Sequence, residues 1–275
     1  MIRYLLALIV TLAACFGLQT LALHLCGGST LKSESNYFSS IARIQSASGK
    51  NAPIMLIGSS LTGRLADRGG HHPEVVNIGC DGSSAMIALR ALDRGQIKPS
   101  PLIIIETNTL GYAMEGRGRE IAQAIDTPGF RIGQDIPNLG ATARPAAFAY
   151  SLLMARSVGR GGDTLALTTQ PVQLVASPQI LSTPERQLVE ELTAILSRLR
   201  EKGSRILLIK LPAGKLTDDV LKNIPTALAA RTGLPYWDLN LDLPEGAVGY
   251  TDGAHLDGQS AVKVMNTLLQ YAATH

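Results

Sequence analysis

The sequence predicts an α/β fold, a three-layer sandwich with a central parallel sheet between helices, preceded by an N-terminal transmembrane anchor. Three observations predict it. Short, continuous apolar runs that end in glycine or a polar turn recur along the chain, as strands buried on both faces require. Segments with helical spacing alternate with those runs, which implies a parallel sheet covered on both sides. The N-terminus is an almost unbroken apolar stretch of membrane-spanning length. With 275 residues, 45% hydrophobic and 17% charged, the chain can build one sizeable domain with a full core, or two small ones.

Residues 1–26 form the expected anchor. Tyr4 to Cys26 is apolar apart from interruptions at Gln19, Thr20 and His24, which suits a hydrocarbon core ~30 Å thick. Arg3 and the amino terminus favour a cytoplasmic start, which places the remainder in the periplasm or outside, tied to the inner membrane through residues 4–26. Two alternatives compete. One is a cleaved signal peptide and a secreted product; the other is a lipoprotein signal, since Leu12-Ala13-Ala14-Cys15 resembles a lipobox. Against both, the apolar run continues through Phe16 and Leu18 to Leu25.

Residues 27–51 read as a tether with one short helix near Tyr37 to Ser46. The domain proper is expected over 52–275. Pro53 to Ile57 is a buried strand ended by Gly58, Glu74 to Ile78 a second, and Ser83 to Arg94 a helix with Met86, Leu89 and Leu92 on one face. Leu102 to Ile105 is a third strand. Residues 111–182 are rich in Gly, Pro and Arg around helices at Arg119 to Ile125 and Pro145 to Val158, and read as an insertion or lid. Thr183-Pro184-Glu185 then opens a helix through Lys202, with Thr183 as cap and Gly203 as stop. A strand at Arg205 to Lys210, a helix at Thr217 to Arg231, a strand at Pro235 to Leu239 and a closing helix at Gln259 to Tyr271 complete the alternation.

Charge and cysteine usage exclude several function classes. A net charge of +3 with scattered basic residues and 4% aromatics gives little support to nucleic-acid binding. Cys15 and Cys26 lie in the anchor, leaving Cys80 alone in the domain, so neither an internal disulfide nor a cysteine metal site is available to it. The adjacent His71 and His72 cannot easily face one ion, and no carboxylate spacing supports them. No metal or cofactor is expected. Arg64, Arg68 and Arg117 to Arg119 could meet an anionic substrate, but solvated faces are the commoner explanation.

Polar clusters fall where loops leave the carboxyl ends of strands. The first is Gly58-Ser59-Ser60-Leu61-Thr62, which in isolation is an ordinary helix-capping turn. Asn77-Ile78-Gly79-Cys80-Asp81-Gly82 follows the second strand, and Glu106-Thr107-Asn108-Thr109 the third. Before the last helix stands Asp252-Gly253-Ala254-His255. A serine hydroxyl is a weak nucleophile until a histidine takes its proton, and a carboxylate fixes the tautomer of that histidine. All three residue types are present, two of them in one short loop.

This ordered set resembles the SGNH/GDSL hydrolase family, over residues 53 to 110 and 235 to 273. Ser60 matches the serine of the first block, with Ser59 where the family has aspartate. Gly82 matches the oxyanion-hole glycine of the second block, Asn77-x-Gly79-x-x-Gly82. Asn108 matches the asparagine of the third, with Glu106 and Thr109 in place of Gly and Asp, and Asp252 and His255 match the last block. The resemblance implies a flavodoxin-like sandwich and a triad of Ser60, His255 and Asp252. It also implies an oxyanion hole from the Ser60 and Gly82 amides and the Asn108 side chain, with Ser59, Asn77 and Gly79 in support. The Gly-Ser-Ser form of the first block is similar to that of the D-alanyl transfer protein of teichoic acid synthesis and of membrane-anchored polysaccharide O-acetylation proteins. The implied partners are an acylated envelope glycan and a membrane acyl-donor protein. An α/β-hydrolase elbow is disfavoured, because Gly-x-Ser-x-Gly is absent around Ser60.

Overall fold

The computed structural model describes residues 1–26, 30, 32–48, 50–69, 72–112, 117–175, 181–214, 223–241 and 243–274. Six strands form one sheet: β1 (Ile54–Ser59), β2 (Val75–Cys80), β3 (Leu102–Glu106), β4 (Val172–Gln173), β5 (Arg205–Lys210) and β6 (Pro235–Asp238), in the order β2-β1-β3-β5-β6-β4. All neighbours are parallel except β4, which runs antiparallel along β6. The parallel strands alternate between two buried faces, which is why their apolar runs are continuous. Met55, Ile57, Ile103, Ile105, Ile206 and Leu208 point into one core. Ile54, Leu56, Leu102, Ile104, Leu207 and Ile209 point into the other.

Helices cover both faces. The first core is closed by α2 (Asn36–Ser48), α4 (Met86–Asp93), α5 (Arg117–Ile125), α8 (Thr183–Glu201) and α9 (Asn223–Thr232). The second is closed by α3 (Ser60–Gly69) and α10 (Gly258–Thr274). The expected three-layer α/β arrangement is therefore present. Ahead of it stands α1 (Ile2–Leu25), exposed along nearly all its length with only Leu23 buried. It is long and apolar enough to cross a membrane, and a signal sequence would share those properties.

Four expectations are corrected. The helix expected near Tyr37 to Ser46 is present as α2, but it belongs to the domain and not to a tether: α2 buries Ile41, Ile44 and Ala47 in the first core, and its Arg43 is fully enclosed against β2. Ile and Ala at helical spacing within a Ser-rich stretch carry that packing, which the polar composition obscures. Residues 111–182 are not simply a lid, since Ile121, Ile125 and Phe130, the last from α6 (Pro128–Asp135), are core residues, and the short strand β4 extends the sheet. The cap of α8 is Ser182, one residue before Thr183, because Glu185 reaches back to accept from the Ser182 N–H at 2.7 Å in a capping box. The helix after Ser83 starts later, at Met86. Of the helix expected over Thr217 to Arg231, residues 217–222 lie outside the described residues, and the rest is α9.

The site is positioned by register and by one close approach. Ser59 pairs with Cys80 across β1 and β2, so Ser60 and Gly82 leave neighbouring strand ends. A Cβ on Gly79 would lie 2.1 Å from the Gly63 amide nitrogen and 2.3 Å from its Cα, so only glycine lets α3 rest on β2. Gly79→Ala is expected to destabilise the fold by ~1–3 kcal/mol through overpacking, read as a lower urea midpoint. Gly129→Ala, in α6 where an added Cβ meets nothing within 4 Å, is the control and should be neutral or slightly stabilising.

Candidate active site

Helix α3 begins on the residue after β1, with no loop between. The turn is therefore sharp, and it separates the two serines. Ser59 faces inward: its N–H and Oγ–H donate to Glu106 Oε2 at 2.6 and 2.7 Å, and its Oγ accepts from the Leu61 N–H at 3.2 Å. Ser60 faces the C-terminal loop and lies 2.9 Å from His255 Nε2. Glu106 is fully buried and also accepts from the Thr109 N–H and hydroxyl at 3.1 and 3.3 Å. Burial pushes its carboxyl above the ordinary range, with the bonds from Ser59 and Thr109 opposing.

The loop before α10 folds back on itself. Tyr250 bridges Leu256, the Thr251 N–H donates to His255 O at 2.9 Å, and Asp257 caps α10 by accepting from Ser260 N–H at 2.8 Å. Asp252 Oδ1 accepts from the amides of Ala254 and His255 at 3.2 and 2.9 Å, which turns its carboxylate toward the ring. His255 Nδ1 lies 3.0 and 2.9 Å from the two Asp252 oxygens. A proton on Nδ1 bonded to Asp252 leaves Nε2 as an acceptor for the Ser60 hydroxyl.

Electrostatics favour that tautomer. Burial lowers the basicity of His255, the Arg64 guanidinium lowers it further, and Asp252 only partly restores it, so the ring is neutral to lower pH than an ordinary histidine. Desolvation alone would raise the Asp252 carboxyl, but the His255 and Ala254 amides and the imidazole hold it well below the usual range. Arg64 completes the group, donating to Asp252 Oδ2 at 2.7 Å. Arg64 is partly solvated, as expected, but it has a partner that the sequence reading did not name; its place one turn after Ser60 on α3 was the available signal. The side chains of Arg68 and Arg117, and His71, lie outside the described residues. His72 is 3.5 Å from Glu74.

One backbone amide stands open at the neighbouring strand end: the Gly82 N–H makes no hydrogen bond among the described residues, and Gly82 is exposed with φ +72°. The Ser60 N–H follows the last β1–β2 pair, Ser59 with Cys80. Asn108 departs from the expected free donor. Its Nδ2 donates to Leu211 O at 2.9 Å and its Oδ1 accepts from Leu211 N–H at 2.8 Å, clamping the end of β3 to the residue after β5. One amide hydrogen of Asn108 is left over from that pair. Asn77 and Gly79 act on the scaffold: Asn77 Nδ2 donates to Thr62 O at 2.7 Å, and its Oδ1 accepts from Gly79 N–H at 2.9 Å.

Sequence reasoning missed a buried ion cluster under Gly82. Asp81 bonds Arg43 at 2.8 Å and Lys32 at 2.7 Å, and Arg43 also donates to Gly79 O at 2.9 Å. It also missed Gly214, whose N–H donates to Ala254 O at 3.2 Å and where a Cβ would lie 1.8 Å from Gly253 O. That contact props the Asp252–His255 loop from beneath. Beside Asn108 a cavity of about 470 Å³ opens between β5, β6, α9 and the segment 169–174 that contains β4, walled by Val172, Leu174, Pro225, Tyr236 and Trp237, with the Lys210–Asp238 pair on its polar side. Among the described residues no group of three His, Cys, Asp or Glu side chains could hold a metal ion.

Comparison with protein-family models, with curated proteins and with solved structures finds no match for this chain.

Because Glu106 is easier to protonate when folded than when unfolded, its contribution to stability is greatest below the ordinary carboxylate range and is lost as pH rises through its folded value. Thermal unfolding followed from pH 4 to 8 is expected to show this decline in the native chain. Glu106→Gln should flatten it, while lowering stability at acidic pH because two backbone donors then compete for one carbonyl oxygen.

Proposed function

We propose that the protein is a membrane-anchored, outward-facing serine esterase or O-acyltransferase of the SGNH/GDSL kind, acting on acyl groups, foremost acetyl, of an envelope or exported polysaccharide. The observation that carries this reading is the continuous relay Asp252–His255–Ser60, with 2.9 Å between the serine oxygen and Nε2. Ser60 Oγ attacks the ester carbonyl as its proton passes to His255 Nε2. The negative charge that develops on the carbonyl oxygen is met by the Ser60 and Gly82 amides, and by the Asn108 amide hydrogen not committed to Leu211. Collapse expels the alcohol, which takes the proton from His255, and leaves an acyl-serine. Water or a sugar hydroxyl then reverses the sequence, its proton taken by His255 and returned to Ser60 as the acyl group departs.

Supporting details are local. The inward turn of Ser59 leaves Ser60 as the only serine of the doublet beside the histidine, and the lowered basicity of His255 suits a neutral general base. The polysaccharide and the membrane acyl donor rest on the resemblance of the Gly58-Ser59-Ser60 block and on the apolar helix α1. A second reading, a lipid esterase or thioesterase, is favoured by the largely apolar cavity beyond Asn108, whose size suits a small ligand.

A fluorophosphonate probe is expected to label the native chain at Ser60 and not at Ser59. Ser60→Ala should abolish labelling and lower turnover of acetylated polysaccharide by about 10³-fold or more. A native chain that stays unlabelled, or a Ser60→Ala variant that keeps full turnover, would sink the proposal. The pH profile gives an independent check: kcat/KM should rise along a limb centred below the ordinary histidine value of 6.5 and be flat above it. Arg64→Gln removes a cation that disfavours the imidazolium, so it should move this limb to higher pH.

A further inference from the structure

Helix α7 (Pro145–Ala155) is apolar around its whole circumference, yet Ala147 is its only buried residue. A helix of that kind is ordinarily inside a protein or a bilayer. It belongs to a larger exposed patch: Leu152 and Leu153 on α7, Ile132 on α6, and Ile136 and Leu139 in the turns between them are 44–67% exposed. Scattered exposed apolar residues need no explanation, but a contiguous set does.

The neighbour of this patch is α1. Gln19 donates to Ala143 O at 3.3 Å, Thr20 accepts from Asn138, and Leu23 is buried against the domain, so the last turns of α1 run alongside the 137–143 turns and α7. The outer side of α1 remains apolar and exposed beyond those contacts, through Leu21 and Leu25. At 1.5 Å per residue its 24 residues span about 36 Å, longer than the hydrocarbon core of ~30 Å and shorter than the full bilayer of ~40–45 Å. A span placed to cover Leu21 and Leu25 brings the adjoining domain surface down to the depth of the lipid headgroups. The charges around the patch agree in sign, because residues 128–156 contain Arg131, Arg144 and Arg156 against the single carboxylate Asp135, and although Glu34 pairs with Arg144 the balance stays positive. Arginine beside exposed leucine suits an interface of anionic headgroups over acyl chains.

We infer that the α6–α7 surface is a second membrane contact, seating the domain against the bilayer that α1 crosses, with Leu139, Leu152 and Leu153 in the acyl boundary. The inference rests on the reading of α1 as a retained span. It has a consequence for the candidate site, because α7 also packs on α3, the helix that Ser60 opens. Ser60 is thereby held at a fixed, short height above the membrane rather than swinging on a leash, within reach of a donor embedded in the same bilayer.

Collisional quenching tests this on the full chain in liposomes containing acyl-brominated lipid. Trp237, the sole tryptophan, is replaced by Phe, and single tryptophans are introduced as Leu21→Trp, Leu139→Trp, Leu152→Trp and, as an exposed control on the domain, Val175→Trp. Folding of each variant is confirmed by an unchanged unfolding midpoint. The expected result is loss of fluorescence at Leu139→Trp and Leu152→Trp comparable to that at Leu21→Trp, with Val175→Trp unquenched. Quenching at Leu21→Trp alone would overturn the seating while leaving the anchor intact. A blue shift at Leu139→Trp that appears only as protein density rises, without bromine quenching, would assign the patch to a second copy of the chain and equally overturn it. Absence of quenching at all four positions would remove the anchor, and the seating with it, whatever the chemistry at Ser60.

Discussion

The carboxylate of Glu106 is fully buried at the point where β1 becomes α3, and nearby order follows from satisfying it. Its two oxygens collect the backbone and hydroxyl donors of Ser59 and Thr109, which ties the ends of β1 and β3 together. A buried carboxylate left short of donors costs several kcal/mol, so the Ser59 side chain is drawn inward. The next residue then has to emerge on the other side of the turn. The orientation of Ser60 toward His255 is thus a consequence of Glu106, a residue that touches neither Ser60 nor the histidine in any hydrogen bond described.

A second buried charge performs a comparable service for the other side of the site. Asp81 immediately precedes Gly82 and is held between Arg43 of α2 and Lys32. Burial alone would raise its carboxyl, and the two cations outweigh that, so it stays ionised. The N-terminal segment is therefore structural in two senses: its helix α2 closes one core, and its cations fix the strand end that presents the Gly82 amide. Removing one partner of such a cluster leaves an uncompensated interior charge, which is costlier than the cluster is stabilising.

These clamps leave the Asp252–His255 loop as the most exposed part of the constellation, and it is rigidified differently. Asp252 is partly open to solvent, but it accepts two amides of its own loop and one arginine from α3. The arginine both orients the carboxylate and opposes protonation of the ring, so geometry and basicity are set by one side chain. Gly214, reaching from the end of β5, fixes the height of the loop.

Much of this was legible in the sequence. The continuous apolar runs of β1, β3 and β5 identified strands buried on both faces, and the alternation with helices identified their parallel order, because period and length are local properties of the chain. The four polar clusters at strand ends could be read for the same reason, since a parallel sheet places them there whatever the detail. The helix at residues 36–48 was legible but its burial was not: α2 is rich in serine, and its packing depends on partners in β2 and around Phe130 that lie far along the chain. Block matching picked Ser60, but it did not show why Ser59 turns inward, that Asn108 clamps Leu211, or that Arg64 pairs with Asp252. Those outcomes depend on where a buried carboxylate finds its donors and on which backbones approach closely, and only the assembled tertiary structure decides that.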